Sequence, residues 1–195
     1  MPAVEKNLSG RLDTCIAEVE DVKSYADCMG RLTSMIETGE LPIRVTHNDT
    51  KLNNVMFDKD TKECVCVIDL DTVMPGLALY DFGDSIRFGA STASEDEADL
   101  SKVEMSLDYF KAYAEGFLSE AGEAFNQAEK DNLAFSALLM TLECGMRFLT
   151  DYINGDTYFK TAYPEHNLVR ARNQMKLVHD MDEKMSEMEE IIRNI

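Results

Sequence analysis

One run of the chain, Leu133 to Leu149, restricts the fold more than any other. Apart from small and hydroxyl residues it is interrupted only at Glu143, Gly145 and Arg147. A run so apolar has to be buried along most of its length, and those interruptions argue against a membrane span. It therefore predicts a helix through the middle of a core, and 195 residues suffice to build one such core as a single domain. Other segments carry a helical period that fits around it. Val103, Leu107, Phe110, Ala114 and Phe117 predict an amphipathic helix ending near Gly122. Met181, Met185, Met188 and Ile192 form one stripe on a long terminal surface helix, a packing face. The first forty residues predict two helices, the second beginning at a Ser24 cap and stopped by Gly39, packed beneath the loop that follows. Asp81 to Phe88 predicts a further helix, and Ser91 to Asp99 an acidic, polar linker.

Strand signals are confined to one stretch, Ile43 to Asp84. Cys64-Val-Cys-Val-Ile68 is continuous and apolar, so it reads as a buried strand, with Cys64 and Cys66 as small core residues on one face. Asn54 to Phe57 is its hairpin partner, and Asp58 to Lys62 is the polar turn between them. The fold class is α+β, mainly α-helical, with a small β-hairpin.

Closing that hairpin brings the loop from His47 to Asn54 beside the loop that begins at Asp69. The groups so assembled are those that phosphoryl transfer requires: a carboxylate to orient the acceptor hydroxyl, and an amide oxygen with a second carboxylate to hold Mg²⁺. Asp49 is the candidate for the first role, and Asn54 and Asp69 for the second. Asn54 follows Asp49 by five residues, the Asp-to-Asn spacing of a kinase catalytic loop. Asp71 shares the Asp69 loop as a supporting group, and His47 reads as a brace bonded to backbone. Asp81, although it begins an Asp-Phe-Gly triplet, lies past the strand and reads as a helix start or a brace for the catalytic loop.

The segments His47-Asn-Asp-Thr-Lys-Leu-Asn-Asn54 and Val67-Ile-Asp-Leu-Asp71 resemble the catalytic lobe of the aminoglycoside phosphotransferase and choline kinase-like family. Arg44 to Asn54, Ile68 to Thr72, Tyr80 to Asp84 and Arg147 to Tyr158 resemble the N-acetylhexosamine 1-kinases more narrowly. The resemblance implies a kinase-like C-terminal lobe that uses ATP as co-substrate with Mg²⁺ and phosphorylates the anomeric hydroxyl of a sugar. It implies that Lys51 contacts the transferring phosphoryl group, and that Arg147 and Tyr158 bind the acceptor. From the residues alone, Arg147 sits in a buried helix and needs a partner, for which Glu143 is four residues away. Choline or an aminoglycoside is the alternative acceptor. The family's smaller nucleotide-binding lobe has no counterpart here, since neither G-x-G-x-x-G nor a P-loop occurs. The chain is expected to be one catalytic lobe that needs that missing N-terminal lobe in cis or in trans. Alone it is expected to be inactive and to self-associate, and a non-catalytic binding role is the alternative.

The formal net charge of −18 argues against nucleic acid or an anionic membrane as partner. Five cysteines without C-x-x-C spacing suggest neither a zinc site nor a disulfide framework. Reduced thiols and the lack of an apolar leader fit a cytoplasmic protein.

Overall fold

The computed structural model describes residues 2–195. Nine α-helices, four single 3-10 turns and four short strands follow one another along the described chain. The helices are α1 (Pro2–Lys6), α2 (Ile16–Ser24), α3 (Arg31–Glu37), α4 (Ala78–Gly89), α5 (Leu107–Ala121), α6 (Gln127–Asp131), α7 (Leu133–Asn154), α8 (His166–Glu183) and α9 (Met185–Arg193). The strands are β1 (Arg44–Thr46), β2 (Val55–Phe57), β3 (Cys64–Val67) and β4 (Met74–Gly76). The class is α+β and mainly helical.

The apolar run becomes α7, which packs against α4 on one side and α8 on the other. By length and composition alone α7 is long and apolar enough to cross a membrane, but most of its apolar window is buried inside this fold. Its approach to α4 is close enough to demand glycine. A Cβ added at Gly83 would meet the Ser136 carbonyl well inside contact distance and stand 2.7 Å from Met140 Cγ. On the outer face of α4, Phe82 takes edge contacts from Phe110 and Phe117, which fixes α5.

The strands form two nested antiparallel pairs. β1 pairs with β4, and β2 with β3 inside them, Val55 opposite Val67 and Met56 opposite Cys66. Arg44 on β1 makes a two-pronged ion pair with the buried Glu129 of α6, at 2.6 and 2.7 Å, and so anchors the strands to the helices. Asp58 closes the hairpin turn by accepting from the amides of Asp60 and Thr61.

Five expectations need correction. β3 is not buried: all its residues are exposed, Cys64 and Cys66 included. With two strands and no covering layer, both faces of the inner hairpin meet solvent, and a β-branched run reads alike whether covered or bare. Ser24 is the last residue of α2 and caps nothing; α3 begins after Gly30 and ends before Gly39, whose φ of +79° suits a helix stop. The first forty residues hold three α-helices rather than two, and α1 and α2 lie against α7 and α8. The amphipathic helix starts at Leu107, capped by Ser106, while the terminal stripe is split at Lys184 into α8 and α9 with Met181 and Met188 buried.

Candidate active site

The loop joining β1 to β2 is suspended from the start of α4. Asp81 and Asp84, three residues apart, lie on one helix face. The Asp81 carboxylate accepts from the amides of His47 and Asn48, both at 2.8 Å, and Asp84 accepts from the Thr50 amide at 3.0 Å. Thr50 Oγ1 donates to the Asp81 carbonyl and Ser85 Oγ to the Thr50 carbonyl. Asn48 adopts the left-handed conformation, φ +63°, and its side-chain amide donates to Thr72 O, while Thr72 Oγ1 donates to His47 O. Both loops are thereby tied together around Asp49.

The Asp49 carboxylate is held on one oxygen only. Oδ2 accepts from Lys51 Nζ and from Asn54 Nδ2, each at 2.8 Å, and no described residue donates to Oδ1. Partial burial pushes the Asp49 carboxyl up, but the hydrogen bonds from Lys51 and Asn54 outweigh it and leave it below the usual carboxylate range. The reciprocal hydrogen bond to Asp49 raises Lys51, which also feels the charges of Asp69 and Asp84.

Asp69, two residues past the end of β3, adopts the left-handed conformation, φ +63°, a sparsely populated state that short polar side chains tolerate. Ile68 N donates to Asn54 O at 2.9 Å, so the two loops meet beside Asn54 and Asp69. The Asp69 carboxylate has no hydrogen bond or ion pair to any described residue. Asp71 lies two residues further on, exposed. His47 Nε2 donates to Ile68 O at 3.1 Å, and its Nδ1 is buried without a partner, so the ring is tied to backbone.

A metal fits this donor set in a restricted way. No cluster of three or more His, Cys, Asp or Glu that could hold a metal ion occurs among the described residues. The Asn54 amide oxygen and the Asp69 carboxylate are hard oxygen donors without partners among the described residues, the complement that Mg²⁺ takes when phosphates and water supply the rest.

Arg147 and Tyr158 lie together at the far end of α7. The guanidinium reaches Tyr158 Oη at 3.4 Å and stands over the rings of Tyr158 and Phe159. Arg147 is not buried, as its helix suggested, but half exposed, with Glu143 at 3.7 Å, so it carries no unpaired buried charge. A cavity of about 380 Å³ runs along Met146, Arg147, Thr150, Tyr158 and Phe159, and Met146 separates it from a second, apolar one of about 370 Å³ that reaches Tyr80. The loop holding Tyr158 is set by buried Asp151, which accepts from the amides of Thr157, Tyr158 and Phe159, each at 2.9 Å.

Sequence reasoning missed Asp84, Thr50, Ser85 and Asp151. The two aspartates of Tyr80-Asp-Phe-Gly-Asp84 carried a signal, because helical spacing puts both on the face that meets the loop. Asp151 carried none, since its partners are the backbone of a loop that only the fold brings back. A family model described as "APH: Phosphotransferase enzyme family" matches residues 9–117, a span that includes Asp49, Asn54, Asp69 and Asp81 and ends before Arg147.

Proposed function

Because the chain belongs to the phosphotransferase enzyme family, whose members act on small molecules, we propose that its site moves the γ-phosphoryl group of ATP to the anomeric hydroxyl of an N-acetylhexosamine. The observation that carries this reading is Asp49, ionised, with Oδ2 fixed by Lys51 and Asn54 and Oδ1 free for an acceptor hydroxyl. A carboxylate held below its usual range is a weak base, which suits phosphoryl transfer through a loose transition state, where orientation and late proton acceptance matter most. Asn54 and Asp69 would hold Mg²⁺, which when bound neutralises phosphate charge. Lys51, close enough to feel both Asp49 and Asp69, would meet the transferring group. Asp71 supports the same loop. Arg147 and Tyr158 offer donors to sugar oxygens along their cavity, which supports a neutral polyhydroxyl acceptor over choline or an aminoglycoside.

The nucleotide half of the site would come from a second, N-terminal lobe, in cis or in trans. The bare inner hairpin supports this, because Met56, Phe57, Val65, Val67 and Ile68 present apolar surface right beside Asn54 and Asp69. The chain alone then binds Mg-ATP weakly. The site carries no anchor for a membrane or for nucleic acid, and a cytoplasmic setting accords with its free cysteines. The test offers N-acetylglucosamine, N-acetylgalactosamine, choline and an aminoglycoside, with Mg-ATP, to the protein that carries this chain. Phosphate on the anomeric oxygen of an N-acetylhexosamine is the expected product. Phosphate on choline alone, or on the 6-hydroxyl, overturns the acceptor assignment.

A further inference from the structure

Behind the loop, on the side away from Asp49, lies a buried chain of charges that the reading above does not use. Asp84 accepts from the Thr50 amide with Oδ2, and with Oδ1 it takes Nε and Nη2 of Arg87 at 3.0 and 2.9 Å. Arg87 is 8% exposed. Its Nη1 reaches out to Glu95 at 2.6 Å, on the acidic linker between α4 and α5, and to Gln174 of α8 at 3.4 Å. Gln174 donates to Asn173, whose amide donates to the carbonyls of Ser94 and Glu97. The linker is therefore held against α8 with one carboxylate turned inward.

We propose that Arg87 and Glu95 are positioning residues: with Asp84 they fix the Thr50 amide, and through it the place of Asp49. The proposal rests on Asp49 being the group that orients the acceptor. Arginine keeps its charge under all working conditions, and a buried guanidinium cannot leave its nitrogens unpaired cheaply. With Glu95 in place, Arg87 is held from both ends, and Asp84 keeps one oxygen aimed at Thr50. Without it, Nη1 has only the long contact to Gln174. A cavity of about 160 Å³ lined by Ser91, Ser94 and Gln174 adjoins the guanidinium and gives it room to turn. Turning it draws Asp84 Oδ1 along and rotates Oδ2 off the Thr50 amide. Glu95 has no hydrogen bond or ion pair with residues 47–50, and its polar link to them runs through Arg87 and Asp84.

The test is Glu95→Gln, a change at a partly exposed side chain that the fold tolerates, with Glu97→Gln on the same linker as control. Two-dimensional ¹⁵N–¹H spectra of the chain are expected to show the Thr50 amide shifted and its hydrogen exchange about tenfold faster in Glu95→Gln only, as local opening replaces the Asp84 bond. In the active protein, kcat is expected to fall about tenfold with the KM for ATP unchanged, as a small misplacement of a reacting group requires. Arg87→Lys is expected to reproduce both effects more strongly. An unmoved Thr50 amide in Glu95→Gln overturns the relay. A moved amide with unchanged kcat overturns its positioning role. Full activity in Asp49→Asn overturns the reading of Asp49 itself: the Thr50 amide result tests the relay without reference to Asp49, and the activity of Asp49→Asn separates a failed Asp49 assignment from a failed positioning role.

Discussion

Asn54 Nδ2 donates to both the backbone carbonyl and the carboxylate of Asp49, at 2.9 and 2.8 Å. Both partners are acceptors, so the amide can take only one orientation, with Oδ1 turned away from Asp49. Asn54 therefore joins two functions, an outward oxygen for a cation and a brace for the carboxylate, whereas Asp69 has no protein partner to lose. Asp69→Ala is expected to raise the Mg²⁺ concentration for half-maximal rate by about tenfold or more, with little loss of stability. Asn54→Ala is expected to do the same and, in addition, to lower the rate at saturating Mg²⁺. Magnesium titrations of the two variants separate the roles, and identical curves to the parent would remove both residues from the metal site.

Replacing Asp49 by Asn keeps the shape and removes the charge, so turnover is expected to fall by about 10²- to 10⁴-fold with the fold intact. The acid limb of kcat/KM should lie below the usual range of aspartate, about 3.9, because the folded carboxyl is depressed. The group is ionised above its folded value, so activity holds as pH falls until that value is reached. Its contribution to stability has the same sign: present above the unfolded value, lost as pH falls through the folded one. Lys51→Met removes one of the two donors, and is expected to move the acid limb upward. A limb that stays put in that variant contradicts the assignment.

The α4–α7 contact makes a sharper demand on sequence than any charged pair. Gly83→Ala places a methyl group against the Ser136 carbonyl, which belongs to helix backbone and cannot step aside as a side chain would. The expected loss is about 1–3 kcal/mol, the range for overpacking a tight interface, measured by denaturant unfolding. Because Asp81 and Asp84 ride on the same helix, a shift of α4 would reach the loop at Asp49, and activity should fall together with stability.

Much of this was legible in the chain. The buried run at Leu133, the period from Leu107 to Phe117, and the hairpin with its Asp58 turn follow from spacing and turn chemistry, both local. Arg44 with Glu129, 85 residues apart, and Asp151 with the backbone of 157–159 were not, because they pair groups that only the packed helices bring together. Burial of β3 was illegible for a second reason. Periodicity reports which way side chains point, and whether another layer covers them depends on what else is present.

The uncovered hairpin makes its own chemical signature. Cys64 and Cys66 are exposed, Cys28 is half-buried, and Cys15 and Cys144 are buried, with burial pushing the Cys144 thiol up to about 12. Thiolates react and thiols do not, so a disulfide reagent should modify Cys64 and Cys66 fast and Cys144 only on unfolding. Equal rates for all five, followed by mass spectrometry of peptides, would contradict the exposure of β3.

The same surface bears on how the chain behaves in solution. Each sheet has two strands, so every strand is an edge, and the inner hairpin shows Val65 at 63% and Phe57 at 50% exposure. Exposed edges with apolar side chains pair with whatever strand or apolar face they meet, and charge on the strand itself is what prevents it. The net charge of −18 opposes association, but at physiological salt its repulsion fades beyond about 8 Å, so it does little between surfaces in contact. The chain is therefore expected to self-associate, more strongly as salt is raised. Val65→Lys puts a charge in the middle of the patch without touching Asp49, Asn54 or Asp69, and is expected to return the chain to monomer in light scattering at the same concentration. Association unchanged by Val65→Lys, or a monomer at all salt concentrations before the change, would show that the hairpin is not the adhesive surface.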